Sequence, residues 1–149
     1  MTVPNNPTPP ILVSLLICDQ VIDDRLTGKK SAIGLFNTVF ATSFPTRLNQ
    51  LAVMATLTEI AERTHLALRL IRDNDNEVLL QTEGDVQAPS PLAMVDLVFA
   101  LQGTRLDRAG QYAFELLAGG QLLGRRRFHV VHRPQSRSPA PGASPGSAS

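Results

Sequence analysis

Several residue types are scarce in this chain of 149 residues, and each scarcity argues against a class of protein. The only cysteine is Cys18, which excludes an internal disulfide framework and leaves no cysteine cluster for zinc. There is no tryptophan and one tyrosine, whereas sugar-binding platforms ordinarily use exposed aromatic rings. The formal net charge is +1, so the chain has no global field that would attract nucleic acid or an anionic membrane.

Apolar runs long enough to cross a membrane are also missing. The run at residues 11–17 is far shorter than the about 20 apolar residues that span a bilayer. No Lys or Arg precedes it, so the positive start of a secretory signal is absent. Ile17 before Cys18 is a poor match to the small residue that lipoprotein cleavage requires. A buried strand is the better interpretation, and we expect a cytoplasmic protein with no membrane partner.

Proline and small residues concentrate at the two ends of the chain. Residues 1–10 contain four prolines and two asparagines, a composition that predicts a disordered arm. Residues 134–149 are nearly all Pro, Ser, Ala and Gly, which predicts a flexible tail. We therefore expect one folded domain over residues 11–133.

Residues 110–131 predict a β-hairpin. Tyr112, Phe114 and Leu116 alternate with other residues at a period of two, the pattern of a strand with one buried face. Gly119-Gly120 then supplies the positive φ angles that a tight hairpin turn requires.

The rest of the domain also reads as strands joined by short turns. Residues 11–18 predict a strand buried on both faces, and residues 51–58 a strand with one apolar side. Residues 64–86 predict a second hairpin around a polar turn, with Val78 facing inward. Residues 30–41 predict a single strand, in which Gly34 marks a bulge or a close backbone approach.

Residues 92–101 fit a helix or a strand, and their position among hairpin-connected strands favours the strand. About eight strands with no βαβ alternation predict an all-β, antiparallel two-sheet sandwich. Apolar residues also occupy nominally outward positions. Either a sheet face or edge meets another molecule, or the register is off by one residue in some strands. These outward positions are Leu79, Val98, Leu117 and Val131.

No catalytic or metal-binding pattern is complete. The turn at residues 73–77 begins like a calcium loop but lacks the required Gly and Glu further on. No Cys or carboxylate is positioned near the three histidines in sequence to complete a zinc site, so we expect them to face solvent. There is no nucleophile elbow or phosphate-binding loop. We predict no enzyme activity, no metal and no cofactor.

The run Arg125-Arg126-Arg127 is the densest basic patch. No aromatic residues interleave with it to stack on bases, as single-strand binders require. Protection of an exposed edge strand against aggregation is therefore the favoured interpretation, and we expect no nucleic acid partner.

One set of residues resembles a known family. Cys18-Asp19, Gly28-Lys29, Ser31, Ile33-Gly34-x-Phe36 and Phe44-Pro45 resemble the opening of a bacterial family of unknown function, and so does the later Gly110-x-Tyr112-x-Phe114-x-Leu116. The resemblance covers residues 11–131 and implies an immunoglobulin-like sandwich. Tyr112 would then be buried with its hydroxyl bonded to an upstream loop. The resemblance implies no activity.

If the first motif marks a functional surface, its candidates are Asp19, Lys29, Ser31 and Phe44, while Gly110, Tyr112, Gly119 and Gly120 are structural. We expect a non-enzymatic binding or assembly module that acts through protein–protein contacts, with a protein partner or as a homo-oligomer. The alternative is a small-ligand or carbohydrate-binding sandwich domain. A hydrolase built on carboxylates at residues 19–24 is a third possibility.

Overall fold

The computed structural model describes residues 8–134, which form nine β-strands and no helix. None of the described residues therefore belongs to a helix that could cross a membrane. Residues 1–7 and 135–149, and with them most of the predicted arm and tail, lie outside the described residues. The strands are β1 Ile11–Asp23, β2 Lys30–Leu35, β3 Thr38–Ala41, β4 Thr46–Thr58, β5 Thr64–Arg72, β6 Glu77–Val86, β7 Val95–Leu106, β8 Gly110–Ala118 and β9 Gln121–His132.

The strands form two sheets that pack face to face. The four-stranded sheet has the order β2-β1-β4-β7, and the five-stranded sheet has the order β3-β9-β8-β5-β6. Every neighbouring pair is antiparallel except β3 and β9, which are parallel. The prediction of an all-β two-sheet sandwich is confirmed, with nine strands in place of about eight and one parallel pair.

The extra strand arises because residues 30–41 are not one strand. The chain leaves the four-stranded sheet after Leu35 and enters the five-stranded sheet at Thr38. The backbone N–H of Phe36 still donates to Ile17 in the first sheet, at 3.2 Å, whereas the carbonyl of Asn37 accepts from His129 in the second, at 2.8 Å. Two residues thus carry the chain across the sandwich.

The core lies between the inner faces of the two sheets. The predicted apolar side of β4 is confirmed, since its residues are almost completely buried. Opposite them, the ring of Phe128 stacks on those of Tyr112 and Phe114, each at a centroid distance of 5.6 Å. Each of these aromatic side chains stabilises the fold by about 1.5–3 kcal/mol through burial. The inward residues of β4 are Leu51, Val53, Ala55 and Leu57.

The prediction that β8 has one buried face is wrong, because its outward residues Ala113, Glu115 and Leu117 are buried as well. The strand lies between β9 and β5, whose side chains cover it from both sides. Leu117 is therefore not on the wet surface.

Two further strands also depart from expectation. Val78 was expected to face inward but is exposed, because a bulge between Leu70 and Ile71 shifts the β5–β6 register. The start of β1 is not buried on both faces, since Ile11 and Val13 are about half exposed. Residues 95–101 belong to the strand β7, and residues 92–94 lie in the turn and loop before it, so the helical alternative is excluded.

Tyr112 fixes the corner between β7 and β8. Its ring is completely buried, and its hydroxyl donates a hydrogen bond of 2.6 Å to the carbonyl of Arg108. A buried tyrosine that bonds back to the chain a few residues upstream is the tyrosine corner of immunoglobulin-like sandwiches. The five-stranded sheet has the matching strand order, with β9, β8, β5 and β6 in the places of G, F, C and C′.

We expect Tyr112→Phe to lower the free energy of unfolding by about 1–2 kcal/mol, because the Arg108 carbonyl loses its donor while the ring stays buried. Urea denaturation measures this change. A free energy of unfolding equal to that of the wild type would show that the hydroxyl does not hold the corner.

Candidate interaction surface

Asp19 and Gly34 face each other across the β1–β2 hairpin. Gly34 has a φ of +74°, and a Cβ added there would overlap the Asp19 carboxylate. The close backbone approach predicted at Gly34 is thus present. The two residues line a pocket of about 290 Å³ whose other walls are mostly apolar, formed by Leu35, Phe36, Thr38, Val39, Leu48 and Gln50.

The other three candidates of the first motif lie elsewhere. Lys29 belongs to the turn before β2, where its carbonyl accepts from the backbone N–H of Asp24 at 2.8 Å. Ser31 is paired with Ile22, about 10 Å along β1 from Asp19. Phe44 packs against His132 at the end of β9, with ring centroids 6.1 Å apart. The structure therefore does not bring the four candidates together in one site.

The carboxylates of residues 19–24 do not converge either. Asp23 pairs with Lys30 at 3.2 Å. Asp24 accepts a hydrogen bond of 2.9 Å from the backbone N–H of Leu26, and this bond, with the nearby Thr27, lowers the pKa of Asp24. These two groups stabilise the hairpin turn, so the hydrolase hypothesis gains no assembled site from them.

The outer face of the five-stranded sheet is charged and internally paired. Glu115 at its centre is 6% exposed, accepts from Arg125 at 2.5 Å and lies 3.6 Å from Arg69. Asp73 lies 3.5 Å from Arg125 and 3.2 Å from Arg127. Buried Glu115 thus has two guanidinium neighbours, which compensate the cost of removing its charge from water.

The arginine run lies on the part of β9 that pairs with β8 alone, because β3 reaches only His129–His132. The edge-protection interpretation therefore stays a prediction. The alternation of faces is observed: Arg125 and Arg127 bind acids on the outer face, while Arg126 donates to the side chain of Asn37 at 3.0 Å.

His65 has carboxylate neighbours that the linear sequence does not place near it. The β5–β6 register sets Asp85 opposite it, with His65 Nδ1 2.9 Å from Asp85 Oδ1, and Glu83 lies 3.5 Å from Nε2. The hydrogen bond to Asp85, together with Glu83, raises the pKa of His65. The ring is exposed, as expected. Among residues 8–134, no group of three or more potential ligands is arranged to hold a metal ion.

The outer face of the four-stranded sheet differs from that of its partner sheet because its centre is apolar. It is formed by the positions that alternate with the core residues of β1, β4 and β7. Cross-strand pairing places two apolar rows side by side there. One row contains Leu16, Met54 and Val98, and the next contains Leu35, Cys18, Ala52 and Ala100.

Polar rows border the apolar centre on both sides. On one side lie Ser14, Thr56 and Asp96, and Thr56 donates a hydrogen bond of 2.6 Å to Asp96. On the other side lie Gln20, Gln50 and Gln102. Asp96 is the only charged residue in these four rows. We call them together the amide-bordered face.

The amide-bordered face combines exposed side chains with small residues that are buried between them. Leu35 is 60% exposed and Val98 39% exposed, whereas Cys18 and Ala52 are buried between their neighbours. Burial raises the pKa of the Cys18 thiol, and the charge of Asp19 adds to the effect. Cys18 therefore contributes packing to this surface and little thiolate.

Sequence reasoning found only part of this surface. Of the four outward apolar residues that it singled out, Val98 lies on the amide-bordered face. Val131 is exposed on β9, Leu79 is partly buried, and Leu117 is buried. Leu16 and Cys18 were missed because the first strand read as buried on both faces.

We expect Gly34→Ala to lower the free energy of unfolding by about 1–3 kcal/mol, because the new Cβ overlaps the Asp19 carboxylate and φ is positive. In an Asp19→Ala background the overlap with the carboxylate is removed, and the backbone cost of about 1 kcal/mol remains together with a tight contact to the Cβ of residue 19. A double-mutant cycle by chemical denaturation measures the difference. Equal costs in the two backgrounds would contradict the proposed contact.

We expect His65 to titrate above its ordinary pKa of 6.5 and Asp85→Asn to lower that pKa. Because the folded-state pKa is raised, the stabilisation is complete below the unfolded pKa and is lost as pH rises through the folded pKa. NMR titration of the imidazole protons measures the His65 pKa in the wild type and in the Asp85→Asn variant. An unchanged His65 pKa in the variant would exclude Asp85 as the cause.

Comparison with known proteins places the chain in a family. Residues 13–131 match a family described as a family of unknown function, DUF6941. No curated protein matches the chain.

Two solved structures are similar to the chain at low sequence identity. One is an alkylpurine DNA glycosylase, AlkC, from Pseudomonas fluorescens, bound to DNA containing an abasic site analogue. It aligns with a TM-score of 0.44 and 11% identity over 64% of this chain, which spans 27% of that chain. The other is an immunoglobulin-like protein from Pseudomonas aeruginosa, with a TM-score of 0.39 and 15% identity over 83% of this chain and 98% of that one. The family match covers most of the folded domain, so the chain belongs to DUF6941, a family of unknown function.

Proposed function

We propose that this chain is a non-enzymatic protein-binding or assembly module and that the amide-bordered face is its binding surface. The observation that carries the proposal is the contrast between the two outer faces of one sandwich. The five-stranded sheet covers the centre of its outer face with paired charges around Glu115, and its exposed apolar residues lie on the edge strands β3 and β6 and near the two ends of β9. The four-stranded sheet carries two adjacent apolar rows without a charged residue, and Leu35, Val98 and Ala100 of these rows are exposed.

The apolar residues of this face are contiguous. Leu16, Met54 and Val98 are direct cross-strand neighbours, and Leu35 continues the surface onto β2. Ile22 and Ile33 extend it along the β1–β2 hairpin, and both are exposed. Single exposed apolar residues are common on monomers, but contiguous apolar surface rimmed by polar residues is typical of protein interfaces.

The composition of the face supports a protein as the ligand. Stable interfaces have an apolar centre depleted of charge and a polar rim that excludes water. The apolar rows provide such a centre, and Gln20, Gln50 and Gln102 with Thr56 provide such a rim. Nucleic acid needs free cations, whereas Arg125, Arg126 and Arg127 are engaged with side-chain partners.

The pocket beside Asp19 supports a second candidate function, the binding of a small ligand. It has apolar walls from Phe36 and Val39 and one carboxylate at its rim. A carbohydrate has less support than an apolar ligand with a cationic group. Tyr112, Phe114 and Phe128 are in the core, and the Arg133 guanidinium lies 3.7 Å from the centroid of the half-exposed Phe40 ring.

Two valines allow a matched test of the face. Val98 lies on β7 in the amide-bordered face and is 39% exposed, whereas Val78 lies on β6 in the other sheet and is 45% exposed. We expect Val98→Lys to abolish capture of the partner by tagged protein in extracts of its source cells, because a buried ammonium would be unpaired. Val78→Lys should capture the partner as the wild type does.

Quantitative mass spectrometry of the captured proteins measures this difference. Equal thermal unfolding of the two variants shows that both remain folded. Capture that survives Val98→Lys would contradict the proposed surface, and so would the absence of any captured protein, including an untagged copy of the chain.

A further inference from the structure

We infer that the occupant of the amide-bordered face is a second copy of this chain, packed sheet on sheet about a two-fold axis. The inference rests on the proposed function, because it names the partner of the same surface. A two-fold interface uses one patch on both subunits, so the patch must be complementary to itself. Three properties of the face meet that requirement: its row pattern, its charge and its size.

The rows are self-complementary in shape. Leu16, Met54 and Val98 form a row of large side chains. The neighbouring row has Leu35 on the edge strand β2 and then the small residues Cys18, Ala52 and Ala100, of which Cys18 and Ala52 are buried between their neighbours. A two-fold axis that lies between these rows and runs across the strands sets the large row of one copy on the small row of the other. Interdigitation of large and small residues is how packed layers reach the density of protein interiors.

The same axis makes the polar rows complementary. It reverses the order of the rows and keeps each strand above its equivalent, so the row of Asp96 meets the glutamine row of the second copy. Asp96 then lies over Gln102 of the second copy, and Thr56 over Gln50 of the second copy. A carboxylate accepts, an amide can donate, and each pair occurs twice in the dimer.

Charge favours a second copy over a dedicated partner of opposite sign. The face carries a single carboxylate, Asp96, which already accepts from Thr56, and its other polar groups are neutral amides and hydroxyls. A partner selected by its charge would require a strong electrostatic potential of opposite sign on this face, and the groups of the face do not provide one. Two copies with a net charge of +1 each repel only weakly.

The size of the face suits a modest dimer. Four strands about 4.8 Å apart and four rows about 7 Å apart cover roughly 500 Å² in flat projection. Accessible area exceeds flat projection on an uneven surface, and specific interfaces bury about 600–1,000 Å² per partner. Packed sheets in proteins keep their strands within about 30° of each other, which a sheet-on-sheet dimer of this face satisfies.

Sedimentation equilibrium of the full chain, from about 5 to about 500 µM, tests directly whether the chain forms a dimer. We expect a monomer–dimer equilibrium that Leu35→Lys weakens by about tenfold or more, because Leu35 stands in the interface. Val78→Lys on the other sheet should leave the equilibrium unchanged. A dimer that survives Leu35→Lys would overturn the inference, since it would then form elsewhere, for example through the free edge of β7.

Opposite charges at one exposed position test the proposed pairing. We expect Gln102→Glu to weaken the dimer, because it sets two carboxylates together, and Gln102→Lys to strengthen it by pairing with Asp96. In an Asp96→Asn background, this difference between Glu and Lys should largely disappear. Equal effects of Glu and Lys at position 102 in the wild-type background would overturn the two-fold arrangement.

The two proposals fail in different ways. A wild-type chain that is a monomer over the whole concentration range overturns the second copy as the occupant. The binding surface itself is tested separately by the capture experiment, in which Val98→Lys is compared with Val78→Lys.

Discussion

The structure depends on the burial of β8 between its two neighbours and above the opposite sheet. Tyr112 and Phe114 stack on Phe128 beneath β4, and no other contact in the described residues joins so many large rings. The outward side of the same strand holds Glu115, which is buried and compensated by Arg125 and Arg69. Both faces of the central strand are thus satisfied, one by apolar packing and the other by ion pairs.

The outer faces of the two sheets carry different kinds of side chain. In the five-stranded sheet, pairing across β5, β8 and β9 aligns opposite charges so that few are left without a partner. In the four-stranded sheet, the equivalent positions are Leu, Met, Val, Ala and Cys, which gain nothing from contact with water. Such a difference between two faces of one sandwich is hard to attribute to folding alone. The proposal of a binding surface on the four-stranded sheet rests on this difference.

Much of the fold can be predicted from local patterns in the sequence. The alternation from Leu51 to Leu57 indicates a strand and its buried side, and Gly119-Gly120 indicates the turn of the last hairpin. Events set by tertiary structure cannot be predicted in this way. Phe36 and Asn37 carry the chain between sheets although the residues on both sides favour strands. The bulge at Leu70 that turns Val78 outward has no local signal either.

The candidate site was less predictable than the fold because its rows are made by register. Leu16, Met54 and Val98 are far apart in sequence and become neighbours only when β1, β4 and β7 pair. Most residues of the family motif, in contrast, have structural roles in the fold. Gly34 makes room for Asp19, and Phe36 packs on the core where the chain crosses between sheets.

The strict alternation along β4 has a consequence for how this family can diversify. Val53 and Ala55 belong to the core, while Ala52 and Met54, interleaved with them, belong to the outer side of the sheet, where Ala52 is covered by its neighbours. Substitutions at every second position can therefore alter the outer side of the sheet without disturbing the core. Insertion of a single residue would exchange the two sets and place the core side chains in water. We therefore expect the strand to tolerate substitutions on its outer side and no insertion or deletion of a single residue.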